Sequence, residues 1–396
     1  MAVLAAGALV FGAGCSSQEG AESTAGQGVS SPAGSSAPPP SRAASPSTSP
    51  SASRPPADLP PAKGSVKVVS TLTEGLDSPW GLAKLPDGDL LVSSRDKGTI
   101  TRIDAKSGKK TLLGTVPGVA AAGEGGLLGL AVSPDYGTDH LVYAYFTTAS
   151  DNRIARMLYD EDGTTPGHLL GAPDTILRGI PKGAVHNGGR IAFGPDRMLY
   201  AGTGETGDDG LAQDKKSLAG KILRMTPDGE PLHGNPQADS VVYSYGHRNV
   251  QGLAWDGNKQ LWAAEFGQDT WDELNRIVPG GNYGWPDAEG KAGQAGFLDP
   301  VAQWKTSEAS PSGIAFVKGS IWMAGLRGER LWRIPLSGTA DKEPLAAPQS
   351  FLEGKYGRLR TVLAAGGNRL WLVTSETDTR GTPKPGDDRI LVVEVR

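Results

Sequence analysis

One pattern returns six times along the chain and limits what it can fold into. A short Gly-Leu-Ala-like segment is followed by a turn and a second apolar segment, and often by a third that ends in an Arg-Ile-like pair. The copies open at Gly81-Leu82-Ala83, Gly129-Leu130-Ala131, Arg190-Ile191-Ala192-Phe193, Gly252-Leu253-Ala254, Gly313-Ile314-Ala315-Phe316 and Thr361-Val362-Leu363-Ala364. Counted from residues 81, 129, 191, 252, 313 and 361, the spacings are 48, 62, 61, 61 and 48. That length suits one four-stranded antiparallel unit with its loops. Turns such as Pro86-Asp87-Gly88 and Asp256-Gly257-Asn258 fit tight links between such strands. With 56 Gly and 30 Pro in 396 residues, a helical bundle or coiled coil is excluded. A β-sandwich or a solenoid would also use short strands, but six copies of one unit favour a ring. The expected fold over residues 64–396 is therefore all-β: a six-bladed β-propeller of four-stranded antiparallel blades. Closure by pairing residues 66–72 with 389–395 would cover both sheet edges.

The segment before the repeats reads differently. Residues 2–14 are apolar or small and end at Cys15, the only cysteine. The run has the length of a signal-peptide core and is too short to span a bilayer. A small-residue pair followed by cysteine resembles a bacterial lipobox, so residues 1–15 are expected to be a signal peptide and Cys15 a lipidation site. An ordinary cleaved signal peptide with an incidental cysteine is the alternative. Residues 16–63 are rich in Ser, Ala, Pro and Gly and carry no aromatic residue. They bury too little apolar surface to offset ordering and are expected to be a disordered tether. The domain would then be exported and would touch the membrane only through its N-terminal lipid.

The charge balance sets aside one class of partner. Lys and Arg number 39 against 43 Asp and Glu, a formal net charge of −4, which argues against nucleic acid. A single cysteine leaves no disulfide and no zinc or iron–sulfur cluster. No P-loop, strand-borne GxGxxG, GxSxG elbow or HExxH is present.

Candidate chemistry gathers where strands begin. His186 and His247 lie in loops just before the innermost strands of the third and fourth repeats, so both segments are expected to face one central funnel. A loop histidine there suits a general base and equally a structural role. Arg248, Arg327, Arg358 and Arg360 flank strands at corresponding positions. Converging guanidinium groups would suit a ligand with several carboxylates; singly, each is ordinary surface charge. The Gly- and acid-rich run from Phe266 to Asn275, closed by Gly280 to Pro286, could offer oxygens to calcium.

At these segments the chain resembles the soluble quinoprotein glucose/aldose dehydrogenases over roughly residues 66–396. The markers are the Gly125–Leu130 run followed by Ser133-Pro134-Asp135-Tyr136, His186 with Arg190, Tyr245-Gly246-His247-Arg248-Asn249, Asp272-Glu273-Leu274-Asn275, and Gly281-Asn282-Tyr283-Gly284-Trp285-Pro286. The resemblance implies a six-bladed propeller, pyrroloquinoline quinone (PQQ) and Ca²⁺ as cofactors, and oxidation of an aldose at C1 to the lactone. It implies His186 as the base and Arg248 beside the quinone, with Arg248, Asn249, Arg358 and Arg360 holding the cofactor and Thr374 close to it. Glu124 and Arg327 stand where the family pattern has a cofactor- or sugar-site glutamine and lysine. The carbonyls of Gly267 and Gln268 correspond to ligands of the calcium at the quinone, and Glu273 and Tyr283 to a second calcium site. Val185 stands where glucose-specific members carry an acid, and Phe266-Gly267-Gln268 replaces a polar Gln/His-Gly-Pro segment. A quinone-free lactonase or hydrolase, or a non-catalytic sugar-binding lipoprotein, would keep the same scaffold. The sugar and the electron acceptor are not specified by these residues.

Overall fold

The computed structural model describes residues 59–337 and 343–396; the expectations for Cys15 and for residues 16–58 of the tether lie outside them. Among the described residues, 24 strands form six four-stranded antiparallel sheets, with only a one-turn helix, Tyr136–Asp139, and a 3₁₀ turn, Asp209–Ala212, besides. The innermost strands are Pro79–Lys84, Leu127–Val132, Ile191–Phe193, Val250–Trp255, Pro311–Val317 and Leu359–Gly366. They are the six repeat openings in order. Each packs against the next, and the sixth returns to the first, so the ring is closed.

The glycine of the repeat has a steric cause. Inner strands of adjacent blades approach backbone to backbone. A Cβ on Gly81 would lie 2.5 Å from the Leu128 carbonyl oxygen, and one on Gly252 would lie 2.3 Å from that of Ser312. Real side chains do not tolerate such contacts, so the tight centre requires glycine. Two copies lack it, at Arg190 and Thr361, and these two residues meet. Arg190 Nη2 donates to Thr361 Oγ1 at 3.1 Å and its Nε to the Gln251 carbonyl at 2.8 Å, while its guanidinium lies over Trp80 at 4.3 Å. One buried arginine thus bridges the third, fourth, sixth and first blades at the centre of the ring.

The inner and middle strands are buried on both faces in near-continuous runs, and their apolar side chains form six clusters, one between each neighbouring pair of blades. The last blade is assembled from both ends of the domain. Its order is Leu359–Gly366, Arg369–Thr374, Ile390–Val395 and Val66–Thr73, with Val66 opposite Val395 and Thr71 opposite Leu391. The expected closure holds, and no sheet is left with a bare terminal edge at the chain ends. Just before this strand, the carbonyls of Pro61 and Ala62 accept from the buried Arg333 of the fifth blade at 2.7 and 3.5 Å.

Candidate active site

At one end of the ring, loops entering the inner strands surround a cavity of about 530 Å³. One wall carries the candidate base. His186 has φ 54°, a left-handed conformation rare for a side-chain-bearing residue. The surroundings hold it there. Its N–H donates to Glu124 Oε2 at 3.0 Å, and its carbonyl accepts the Thr206 N–H at 3.2 Å. Its Nδ1 lies 2.5 Å from Glu205 Oε1. Glu205 is fully buried; its other oxygen accepts the Gly207 N–H, and its own N–H donates to the Arg248 carbonyl at 2.8 Å. A buried carboxylate on Nδ1 fixes the ring tautomer and leaves Nε2 as the acceptor for a substrate proton.

The opposite wall is cationic. Arg360 is buried, donating Nη1 to Gln251 Oε1 at 3.0 Å and Nη2 to Asp378 Oδ2 at 2.8 Å. Its Nε is buried with no partner among the described residues. Arg358 donates Nε to the Ser375 carbonyl at 3.2 Å and Nη2 to the same Asp378 oxygen at 3.0 Å. Burial pushes Arg360 down to about 10, and burial with Arg360 beyond it pushes Arg190 down to about 9. Arg248 lies over the Trp285 ring at 5.4 Å, reaches the Phe266 carbonyl at 3.4 Å, and also has a buried, unpartnered Nε. Arg327 lines the rim, exposed, with no hydrogen-bond or ion-pair partner among the described residues. Such an excess of desolvated guanidinium groups is stable only with anionic oxygen to accept from them.

Seven of the candidate site residues line this cavity, Glu124, His186, Arg248, Asn249, Arg327, Arg358 and Arg360, together with Val185 and Phe266. Asn249 Oδ1 accepts the Gly188 N–H at 3.0 Å, pinning the turn behind His186. Thr374 is not on the cavity wall. It is buried behind it, its hydroxyl donating to Asp388 Oδ1 at 2.7 Å. Gly267 and Gln268 follow Phe266 away from the lining; their N–H groups donate to Asp272 Oδ1 and Glu289 Oε1, and their carbonyls accept no hydrogen bond among the described residues. Glu273 and Tyr283 lie deeper. Glu273 accepts from Gly290 N–H at 2.6 Å and Asn275 Nδ2 at 3.0 Å, and burial beside Glu265 raises its carboxyl well above the ordinary carboxylate range. The Tyr283 hydroxyl donates to the Arg276 carbonyl and accepts from Val278 N–H.

One expectation is corrected. His247 does not face the funnel with His186. It is fully buried between the third and fourth blades, its Nδ1 2.6 Å from Glu265 Oε2, its Nε2 2.8 Å from Ser244 Oγ, and its ring stacked on Tyr283. Its neighbours Arg248 and Asn249 turn to the cavity instead. Several lining or supporting residues were not singled out from the sequence, among them Trp80, Arg95, Asp378 and Arg380 on the wall and Glu205 behind His186. Glu205 had a faint signal, an acid inside the run Thr203-Gly204-Glu205-Thr206-Gly207.

The comparisons with known proteins agree with this geometry. A family model described as glucose/sorbosone dehydrogenase matches residues 76–382. The chain belongs to that family. It is similar to the aldose sugar dehydrogenase YliI of Escherichia coli strain K12, 30% identical over 346 residues, 78% of this chain and 90% of that protein. It is similar to quinoprotein glucose dehydrogenase B of Acinetobacter calcoaceticus, 31% identical over 276 residues, 61% of this chain and 57% of that one. Among solved structures, the PQQ-bound aldose sugar dehydrogenase from Streptomyces coelicolor superposes with a TM-score of 0.83 at 73% identity, covering 85% of this chain and all of that one.

Proposed function

We propose that the protein is a PQQ-dependent aldose dehydrogenase that oxidises the anomeric carbon of a sugar to the lactone. The observation that carries this reading is the union, in one cavity, of a carboxylate-held histidine and a wall of desolvated arginines. PQQ is an ortho-quinone with three carboxylates, so the residues present fit it. Arg358 and Arg360 would take carboxylates, with Arg248, Asn249 and Arg327 around the ring system, and the unpartnered Nε atoms of Arg248 and Arg360 are donors lacking an acceptor. When bound, PQQ supplies the two-electron acceptor for the C1 hydride.

The chain's own residues do the rest. His186 Nε2 removes the C1 hydroxyl proton as the hydride departs, and Glu205 stabilises the resulting imidazolium at Nδ1. Arg248 presents positive charge to oxygen that becomes anionic as electrons arrive. Val185, Phe266 and Leu326 make part of the lining apolar, so fewer side chains read individual sugar hydroxyls, and a broad aldose preference follows.

Calcium is part of the same proposal. The carbonyls of Gly267 and Gln268 are free to ligate, and Glu273 is buried beside Glu265 with Asn275 Oδ1 unpartnered nearby in sequence, a setting that a hard cation suits. The domain is proposed to work outside the cytoplasm, tethered through residues 16–63 to a lipid on Cys15.

The direct test is oxidation of aldoses by the PQQ- and Ca²⁺-loaded protein with a dye as electron acceptor. His186→Ala is expected to lower kcat by about 10²- to 10⁴-fold while PQQ uptake persists. Turnover by that variant at the wild-type rate would remove His186 as the base.

A further inference from the structure

The loop from Ser375 to Asp388 carries the carboxylate that meets both Arg358 and Arg360. Asp378 is buried at 3% exposure. Its Oδ2 accepts from Arg358 Nη2 at 3.0 Å, Arg360 Nη2 at 2.8 Å and Ser375 Oγ at 2.9 Å. Its Oδ1 accepts the Arg380 N–H at 3.1 Å, and its carbonyl accepts Arg95 Nη2 at 3.2 Å. Two residues on, Arg380 Nη2 donates to Glu124 Oε1 at 2.9 Å, and the other oxygen of Glu124 receives the His186 N–H. The loop is itself fastened from behind: Asp388 accepts from Thr374 Oγ1, from the Glu376 and Thr377 N–H groups, and from Thr377 Oγ1.

On the reading of the cavity as a PQQ site, we propose that Asp378 is a positioning residue: it clamps Arg358 and Arg360 into one fork whose remaining N–H groups meet the cofactor's carboxylates. Gln251 holds Arg360 and the Ser375 carbonyl holds Arg358 by one hydrogen bond each, which leaves the two like-charged guanidinium groups free to move relative to each other. A single oxygen shared by Nη2 of both removes that freedom before the ligand arrives, and the ordering cost is then not charged to binding. The clamp uses one Nη2 from each arginine. Arg360 retains its unpartnered Nε, and Arg358 has no protein partner for Nη1 among the described residues.

Positioning by Asp378 and mere charge balance change PQQ affinity in opposite directions. Asp378→Asn removes one negative charge beside the site and keeps the shape. If Asp378 served only to balance charge, the variant would bind a polyanion more tightly. If it positions the arginines, the variant binds more weakly, by about ten-fold for the loss of a charge-assisted hydrogen bond.

The experiment is PQQ titration of the full chain with Ca²⁺, followed by absorbance, for wild type, Asp378→Asn and Asp378→Glu. The expected result is a Kd raised about ten-fold in Asp378→Asn, with Asp378→Glu closer to wild type. At saturating PQQ, the KM for the aldose that the wild type oxidises stays unchanged in both. Equal or tighter PQQ binding by folded Asp378→Asn overturns the proposal. If Asp378→Asn does not fold, Ser375→Ala, which removes one hydrogen bond to the same oxygen, is expected to weaken PQQ binding by a smaller factor, and unchanged binding there overturns it. If wild type takes up no PQQ, the proposed function fails; calorimetry with citrate, a tricarboxylate, then decides the positioning role by the same order of affinities.

Discussion

At the scale of single residues, the site depends on buried carboxylates whose partners are already chosen. Glu205 is fully buried and spends its oxygens on His186 Nδ1 and the Gly207 N–H. Glu205→Gln keeps the shape but offers an amide whose NH₂ can face Nδ1, which favours the wrong tautomer. The expected outcome is a 10- to 100-fold loss in kcat with little change in PQQ affinity, read by steady-state kinetics on the loaded enzyme. Asp378 makes a separate, pH-dependent contribution. Burial alone would raise its carboxyl, but Arg360 and then Arg358 outweigh burial and hold it at about 2, below the ordinary 3.8. A carboxyl lowered by folding stabilises the fold above its unfolded value and loses that contribution as pH falls through the folded value. At about 1.4 kcal/mol per unit the contribution is about 2 kcal/mol above pH 4. Urea unfolding should therefore show Asp378→Asn destabilised at pH 6, with the gap to wild type closing towards pH 2. A constant gap would refute this account.

At the scale of elements, the inner strands were legible because one steric demand is repeated. The close approach of neighbouring backbones writes a glycine into four of six copies, and short apolar runs buried on both faces write the rest. Gly81→Ala puts a Cβ 2.5 Å from the Leu128 carbonyl. It should cost about 1–3 kcal/mol in denaturant unfolding, and a neutral result would mean that the two strands separate easily. The loops were legible only in part. His186, Arg248 and the Arg358–Arg360 pair stand beside strand starts, where the repeat fixes their direction. Whether a loop side chain turns outward to the funnel or inward to its blade depends on tertiary partners. His247 was misplaced for that reason, since Glu265, Ser244 and Tyr283 lie 18, 3 and 36 residues away and together bury it. Asp378 was missed because its partners come from another strand, and nothing in Thr377-Asp378-Thr379 marks it.

At the scale of the whole molecule, a closed ring turns six short hairpin units into a rigid rim. Each blade buries both faces against neighbours, and the sixth is completed by residues 66–73 pairing with 390–395. Side chains from blades far apart in sequence can then converge: Glu124 and Arg380 meet across 256 residues. The loops are free to carry chemistry because they are not needed to close the fold. The tether is argued at this scale too. If Cys15 carries a lipid, Cys15→Ser should move the protein from the membrane fraction to the soluble fraction, and unchanged partition would remove the anchor.

The central claim is that this cavity is built for PQQ, and the most direct measurement is equilibrium uptake of PQQ by the purified apo protein, with and without Ca²⁺, followed by absorbance. The account predicts a saturable spectral change near one PQQ per chain that requires Ca²⁺ and is bleached when an aldose is added. No saturable change with Ca²⁺ present, or a change that an aldose leaves untouched, would contradict it.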